Sequence, residues 1–376
     1  MQKTQSTNWY PAIILALLAA LVCVFALLVA TRSEQGNLSQ MVSATTGQQV
    51  YEWKLVTTWP KNYPGLGAAP ENFARQLEKV SNGRIKIKVY GSGELVPALS
   101  VFDAVSSGSV EMGHGAAYYW KGKVPAAQFF TAVPFGMNVQ EMNGWLHHGG
   151  GMELWRDVYR PFNLVPFTGG STGVQMAGWF NREINTLADL KGLKMRIPGL
   201  GGEVLNRAGG SAINIPGGEL YTALQTGVID ATEWVGPYND LAFGFHQVAK
   251  YYYYPGWHEP GAMLEFIINK KVYDALPPDL QAMIESVSRQ INQDMLDDYT
   301  TRNNTALIEL TEQHGVQLRR LPQEVLDHLK AISFAIYDET AVTDPLFAKV
   351  YAAYMKYFEQ AAEYHAISEE SYYESR

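Results

Sequence analysis

Arg196 stands between Leu193-Lys194-Met195 and Ile197-Pro198-Gly199, which places a guanidinium at a strand end facing a loop. Its planar fork matches a carboxylate, so the chemistry on offer is capture of a small organic acid, although a structural ion pair uses the same residue type. Glu233-Trp234 follow a helix–Gly–strand unit at a second strand end, where ligand crevices of α/β proteins form. Trp257-His258-Glu259-Pro260-Gly261 is a loop bounded by Pro and Gly with a carboxylate in its middle, and Gln175 falls in an apolar strand after Gly173. Carboxylate and amide oxygens are hard ligands. Two acids near Arg196 are tolerated if a cation sits between them and the substrate.

A hydrolytic alternative rests on His148-Gly149-Gly150-Gly151, which looks like an oxyanion-hole stretch, and on Gly169-Gly170-Ser171-Thr172-Gly173, which satisfies G-x-S-x-G. That chemistry needs the serine on a strand-to-helix elbow, but Val174 to Phe180 follows it with a strand pattern. His258-Glu259 is followed by Pro260, which does not fit a zincin helix. Gly199-Leu200-Gly201-Gly202-Glu203-Val204 lacks the last glycine of a dinucleotide fingerprint, and the pair His147-His148 suits a solvated helix end.

Composition narrows the classes further. The 376 residues carry 37 acidic against 29 basic side chains, a net charge of −8, with no Lys/Arg run, which argues against a nucleic-acid partner. One cysteine, Cys23, excludes an internal disulfide and Cys-based zinc sites. It lies inside the apolar run of residues 12–30, which is long enough to span a bilayer and exceeds the usual apolar core of a secretory signal. Residues 1–32 are therefore a cleaved export signal or an uncleaved anchor. Residues 33–50 form a flexible polar linker, and the folded part begins near Tyr51.

The elements that position these residues follow from periodicity. Tyr51 to Val56 and Arg84 to Val89 alternate as strands, and a helix opening at Pro70 puts Phe73, Leu77 and Val80 on one face before Asn82-Gly83 stops it. A short helix from Val101, a stop at Gly108 and a strand from Val110 complete a largely parallel α/β lobe. The order of residue types in Val101 to Glu111 recurs in Leu220 to Asp230, which indicates two related lobes sharing a cleft. The last third is helical: Leu280 to Leu310, a helix starting at Leu321-Pro322, and one opened by Asp344-Pro345 whose Leu346, Val350, Tyr351, Tyr354, Tyr357 and Phe358 form an apolar face.

The stretches Leu190 to Gly199 (LKGLKMRIPG) and Gly218 to Ala231 (GELYTALQTGVIDA) resemble the most recognisable segments of the extracytoplasmic solute-binding proteins of TRAP transporters, the DctP family. The likeness runs from about Tyr51 to the helices after Pro277. It implies an α/β, two-lobed periplasmic-binding-protein-like fold with a ligand cleft between lobes and long C-terminal helices. Lobe I takes about 51–172 and a returning segment after 260, and lobe II about 173–260 and the C-terminal helices. It further implies a periplasmic receptor without enzymatic activity, which hands its ligand to TRAP membrane subunits. The family's carboxylate anchor falls on Arg196.

Glu233-Trp234 with Gln175 and Glu259 is similar to the branch that binds pyruvate-like 2-oxo or 2-hydroxy monocarboxylates with a cation. In that branch sodium or calcium is held by Gln175, Glu233, the Trp234 backbone and Glu259. The acid would meet Arg196, Gln175, Trp234 and Tyr119, with Trp59, Tyr118 and Trp120 as further walls. Trp234 stands where sialic-acid and C4-dicarboxylate branches usually carry Asn, which argues against those ligands. The resemblance also implies a homodimer through the terminal helix. An anchored carboxylate sensor is the runner-up, and a serine hydrolase using Ser171 is the distant alternative.

Overall fold

The computed structural model describes residues 20–27 and 49–376, in two units, 1–50 and 51–376. In the first unit residues 20–27 form an exposed helix that includes Cys23. The rest of the apolar run 12–30, and almost all of the linker expected over 33–50, lie outside the described residues. Among the described residues no helix is long and apolar enough to cross a membrane.

Two sheets organise the second unit. Strands β1 (Tyr51–Thr57), β2 (Ile85–Tyr90), β3 (Met112–Gly115), β4 (Leu164–Ser171) and β10 (Met263–Asn269) form the first, in the order β2-β1-β3-β10-β4. The second is β11-β9-β5-β8-β6-β7, built from β5 (Gly178–Phe180), β6 (Lys194–Arg196), β7 (Ser211–Ile213), β8 (Ala231–Thr232), β9 (Tyr251–Tyr254) and β11 (Gln317–Arg320). Strand directions match between them. In the first, β2, β1 and β3 are parallel while β10 and β4 alternate antiparallel; in the second, β7, β6 and β8 are parallel while β5 and β9 alternate. The expectation of a largely parallel first lobe holds for β1, β2 and β3, while β10, which returns from the second sheet, is antiparallel to both its neighbours. In the second sheet β5 is likewise antiparallel to both neighbours, whereas β11 pairs parallel with β9, and single-segment periodicity shows neither.

The recurrence of residue types has a structural counterpart. Helix α2 (Val101–Ser106) leads through Gly108 into β3, and helix α6 (Leu220–Gln225) leads through Gly227 into β8. Both glycines adopt left-handed backbone, φ 79° and 73°, the conformation that ends a helix without a Cβ clash. Each strand has a parallel neighbour on one side and an antiparallel one on the other. Helix α1 (Ala68–Val80) buries Phe73 and Leu77 as its period requires, but Val80 in its last turn is exposed.

Besides the long helical stretch 270–316 from β10 to β11, two short segments connect the sheets: 172–177 runs out from β4 to β5, and 255–262 runs back from β9 to β10. They lie side by side, with the Thr172 amide donating to the Ala262 carbonyl at 3.1 Å and the Gln175 amide to the Glu259 carbonyl at 3.2 Å. Gln175 is thus not in a strand, as its apolar setting suggests. Its backbone partners lie on the other crossing, and pairing of that kind leaves no trace in local periodicity.

Helix α3 (Val139–His148) and helix α4 (Gly151–Tyr159) meet at Gly149-Gly150, so the His148-Gly-Gly-Gly stretch is a helix junction. His147 in that turn is half-buried, and burial pushes its imidazole down to about 4, more than a solvated helix end implies. Helix α5 (Gly199–Arg207) begins just beyond Arg196, and α7 (Pro237–Phe243) follows β8. Helix α8 (Pro278–Ile308) packs along β4, α1 and α7. Helix α9 (Gln323–Thr343) and helix α10 (Pro345–His365) follow, the latter capped by the Asp344 carboxylate, which accepts from the amides of Leu346 and Phe347. Phe347, Val350 and Tyr354 are buried on the chain's own body, where Phe347 meets Phe129 at 4.9 Å and Tyr354 meets Trp145 at 5.2 Å.

Glu265, fully buried in β10, accepts from the Trp120 indole at 2.5 Å and pairs with the Tyr159 hydroxyl at 2.8 Å. Burial pushes its carboxyl up to about 7. A folded pKa above the unfolded one favours the native state where the group is protonated, so this contribution is complete below about pH 4 and is lost as pH rises through about 7. It amounts to about 3 kcal/mol. Glu265→Gln keeps both hydrogen bonds and removes the titration. The wild type relative to this variant should lose stability between about pH 4 and about pH 7 in urea unfolding, and an unchanged difference would refute the assignment.

Candidate ligand and cation site

Arg196 ends β6 and is 1% exposed, and each of its three guanidinium nitrogens has a protein partner. Nε donates to the Ile215 carbonyl at 3.2 Å, one terminal nitrogen pairs with Glu233, and the other donates to the Tyr119 hydroxyl at 3.2 Å. Of five N–H donors, one on each terminal nitrogen remains. Those two N–H groups are left to donate to a carboxylate. Burial works against the Arg196 charge, but Glu233, Tyr119 and Tyr118 together outweigh it and raise the pKa. Burial likewise pushes the Tyr119 phenol up to about 12, against the pull of Arg196. Trp234 lies against the guanidinium, with its ring centroid 5.2 Å from the central carbon.

Glu233 leaves β8 fully buried, with one oxygen on Arg196 and the other 3.3 Å from His258 Nε2. Glu259, on the returning crossing, accepts from Gln175 Nε2 at 2.8 Å and from the Tyr118 hydroxyl at 3.5 Å. Burial first, and Glu233 second, hold its carboxyl well above the usual range. Ligating atoms of Glu233, His258 and Glu259 lie within 4.8 Å of one another. Gln175 donates also to Thr172 Oγ1 at 3.1 Å, while its own carbonyl oxygen is buried without a partner. Two buried carboxylates, and an unsatisfied amide oxygen on the residue bonded to one of them, suit a hard cation, whose positive charge would relieve both their repulsion and their desolvation.

Aromatic rings close the remaining sides. Trp59 meets Trp234 edge-on at 6.1 Å and Tyr119 at 5.9 Å. Its indole donates to His114 Nδ1 at 3.0 Å, and the other His114 nitrogen, 2.9 Å from the Gly169 carbonyl, then carries the proton. Burial pushes His114 down to about 4, so this relay stays neutral. Trp234 is braced by Gly217, where a Cβ would come within 2.2 Å of its ring. The space lined by Trp59, Tyr119, Gln175, Arg196 and Trp234 is only about 10 Å3, so the side chains themselves nearly fill the cleft.

Arg196, Gln175, Glu233, Trp234, Glu259 and Tyr119 are thus brought together, with Trp59 and Tyr118. Trp120 is not at the cleft: its indole is committed to Glu265 in the core of the first sheet. Ser171 is fully buried and donates to the Ala262 carbonyl at 3.0 Å, so the elbow that a serine nucleophile requires is absent there. In the sequence His258 stands out only as part of a zinc motif. Its contact with Glu233 has one sequence signal, adjacency to Glu259.

The model of bacterial extracellular solute-binding proteins, family 7 (DctP), matches residues 55–344. A monocarboxylate 2-oxoacid-binding periplasmic protein of Nostoc sp. is 43% identical over 330 residues, covering 88% of this chain and 90% of the relative. The crystal structure of a TRAP periplasmic solute-binding protein from Pseudoalteromonas atlantica with bound sodium and pyruvate is 44% identical, with a TM-score of 0.85 over 87% of this chain and 100% of that one. A TRAP solute-binding protein from Bordetella bronchiseptica, a dimer with copurified calcium and picolinate, is 37% identical, with a TM-score of 0.85 over 87% and 97% of the two chains. The two-sheet fold, the shared cleft and the length of these matches place the chain in the DctP family of bacterial extracellular solute-binding proteins.

Proposed function

We propose that the chain is the periplasmic receptor of a TRAP transporter, that it binds a pyruvate-like 2-oxo or 2-hydroxy monocarboxylate together with sodium or calcium, and that it delivers the acid to the membrane subunits. The observation that carries this reading is that Arg196 and Gln175, with its unpartnered oxygen, line one small cavity while the buried carboxylates Glu233 and Glu259 are bonded directly behind them. Arg196 takes the carboxylate through its two remaining N–H groups. Tyr119 keeps the guanidinium in plane, and Trp234 and Trp59 limit the length of the acid beyond its 2-carbon. Gln175, Glu233, the Trp234 carbonyl and Glu259 hold the cation, which when bound supplies the positive charge that the 2-oxygen and a carboxylate oxygen share. No covalent chemistry is required.

The lobes follow the sheets, with the crossings 172–177 and 255–262 as hinges. Export is served by residues 12–30, as a cleaved signal or as a tether. The homodimer is supported by the dimeric Bordetella relative and by the exposed Tyr364 and Ile367 near the end of α10, beyond its self-packed face. Calorimetry with pyruvate tests the central reading. Affinity should fall by at least about tenfold once calcium is chelated and sodium removed, and equal affinity under both treatments would sink the shared-cation proposal.

A further inference from the structure

Asp240 lies in the first turn of α7, fully buried and outside the lining of the cavity. Its carboxylate receives four hydrogen bonds. Oδ2 accepts from the Tyr252 hydroxyl at 2.7 Å and the Trp179 indole at 2.9 Å. Oδ1 accepts from the amides of Val235 and Gly236 at 3.2 Å each. Four donors converging on one carboxylate fix its plane, and that plane in turn fixes the two peptide groups it holds. The Trp234–Val235 peptide is trans, so its N–H and C=O point in opposite directions. Holding the Val235 N–H on Asp240 turns the Trp234 carbonyl to the side away from that carboxylate. Among the described residues no hydrogen bond reaches this carbonyl, although Trp234 is only 4% exposed.

Neighbouring contacts leave the segment little freedom. Asn239 Oδ1 accepts from the Trp234 indole at 3.1 Å, and the Val235 carbonyl accepts from the Met176 amide at 3.0 Å, next to Gln175. The ring and the peptide of Trp234 are therefore held by consecutive residues of α7. We infer that Asp240 is a positioning residue for the cation site, aiming the Trp234 carbonyl as a ligand; this rests on the cation reading given above. Outer partners that orient metal ligands typically govern affinity by about 10–100-fold.

Terbium binding to the full-length protein, read as luminescence excited through its tryptophans in mildly alkaline buffer, tests both levels. Glu233→Gln should abolish the signal; equal binding by wild type and this variant overturns the cation reading and the role of Asp240 with it. Asp240→Asn should keep a native near-ultraviolet dichroism spectrum and raise the terbium half-saturation by about tenfold or more. An unchanged half-saturation in Asp240→Asn, with Glu233→Gln inactive, overturns the positioning role alone. Where Asp240→Asn does not fold, Tyr252→Phe removes one donor from the far oxygen and should raise half-saturation by about two- to threefold, and no change there overturns the role equally. Leu77→Ala in α1 lowers the melting temperature at a distance. If it shifts terbium binding as far as Asp240→Asn does, affinity merely follows stability and the inference falls.

Discussion

Replacing Arg196 by alanine lowers pyruvate affinity by at least about a hundredfold, or about 3 kcal/mol, in a protein that still folds. The loss has two parts of the same sign. The carboxylate loses a charge-assisted fork, and Glu233 loses the cation that neutralises it in a site where both side chains are at most 2% exposed. Arg196→Lys separates them. It keeps a charge near Glu233 but offers a point donor in place of two fixed ones, and should recover only part of the affinity. Calorimetry on the two variants reads the difference, and wild-type affinity in Arg196→Ala would remove the acid from this cleft.

Glu259→Gln should change two measurements in opposite directions. Without a cation, the buried carboxylates of Glu233 and Glu259 repel each other, and the Glu259 carboxyl is held well above its usual range by burial and by Glu233. A neutral amide there removes the cost of burying a group that is ionised in the unfolded chain, and should stabilise the chelator-treated protein by about 1–3 kcal/mol, a rise of several degrees in melting temperature. With sodium or calcium present the same change should weaken cation binding by at least about tenfold and erase the cation-dependent rise in melting temperature. A scan with and without chelator decides the matter. A variant that loses stability under chelation would show Glu259 to be a structural carboxylate and not a ligand.

Arg196 and the helix–Gly–strand units are legible in the sequence because their signals are local: a charged residue closing a short strand, and a glycine at the one position where left-handed backbone is needed. Gln175 is legible as a residue but reads wrongly as a strand member. Its conformation is set by the Glu259 carbonyl, eighty-four positions away in the chain. Trp120 misleads for a related reason. An aromatic beside Tyr118 and Tyr119 looks like a cleft wall, and only the buried Glu265 draws it to the other side. Asp240 is invisible because its donors come from three separate strands and loops, and nothing in Pro237-Tyr238-Asn239-Asp240 announces them.

The two crossings also bear on the parting of the cleft. Gln175 and Glu259 sit on the segments about which one sheet would swing relative to the other, and their backbones are bonded to each other. Points near a pivot travel least, whereas the bond from Arg196 to Tyr119 and the contact of Trp59 with Trp234 reach from one sheet to the other and are severed by any swing. On the proposed assignment, a parted cleft would keep Gln175 and Glu259 side by side, while the acid's enclosure between Arg196, Tyr119, Trp59 and Trp234 exists only in a shut one.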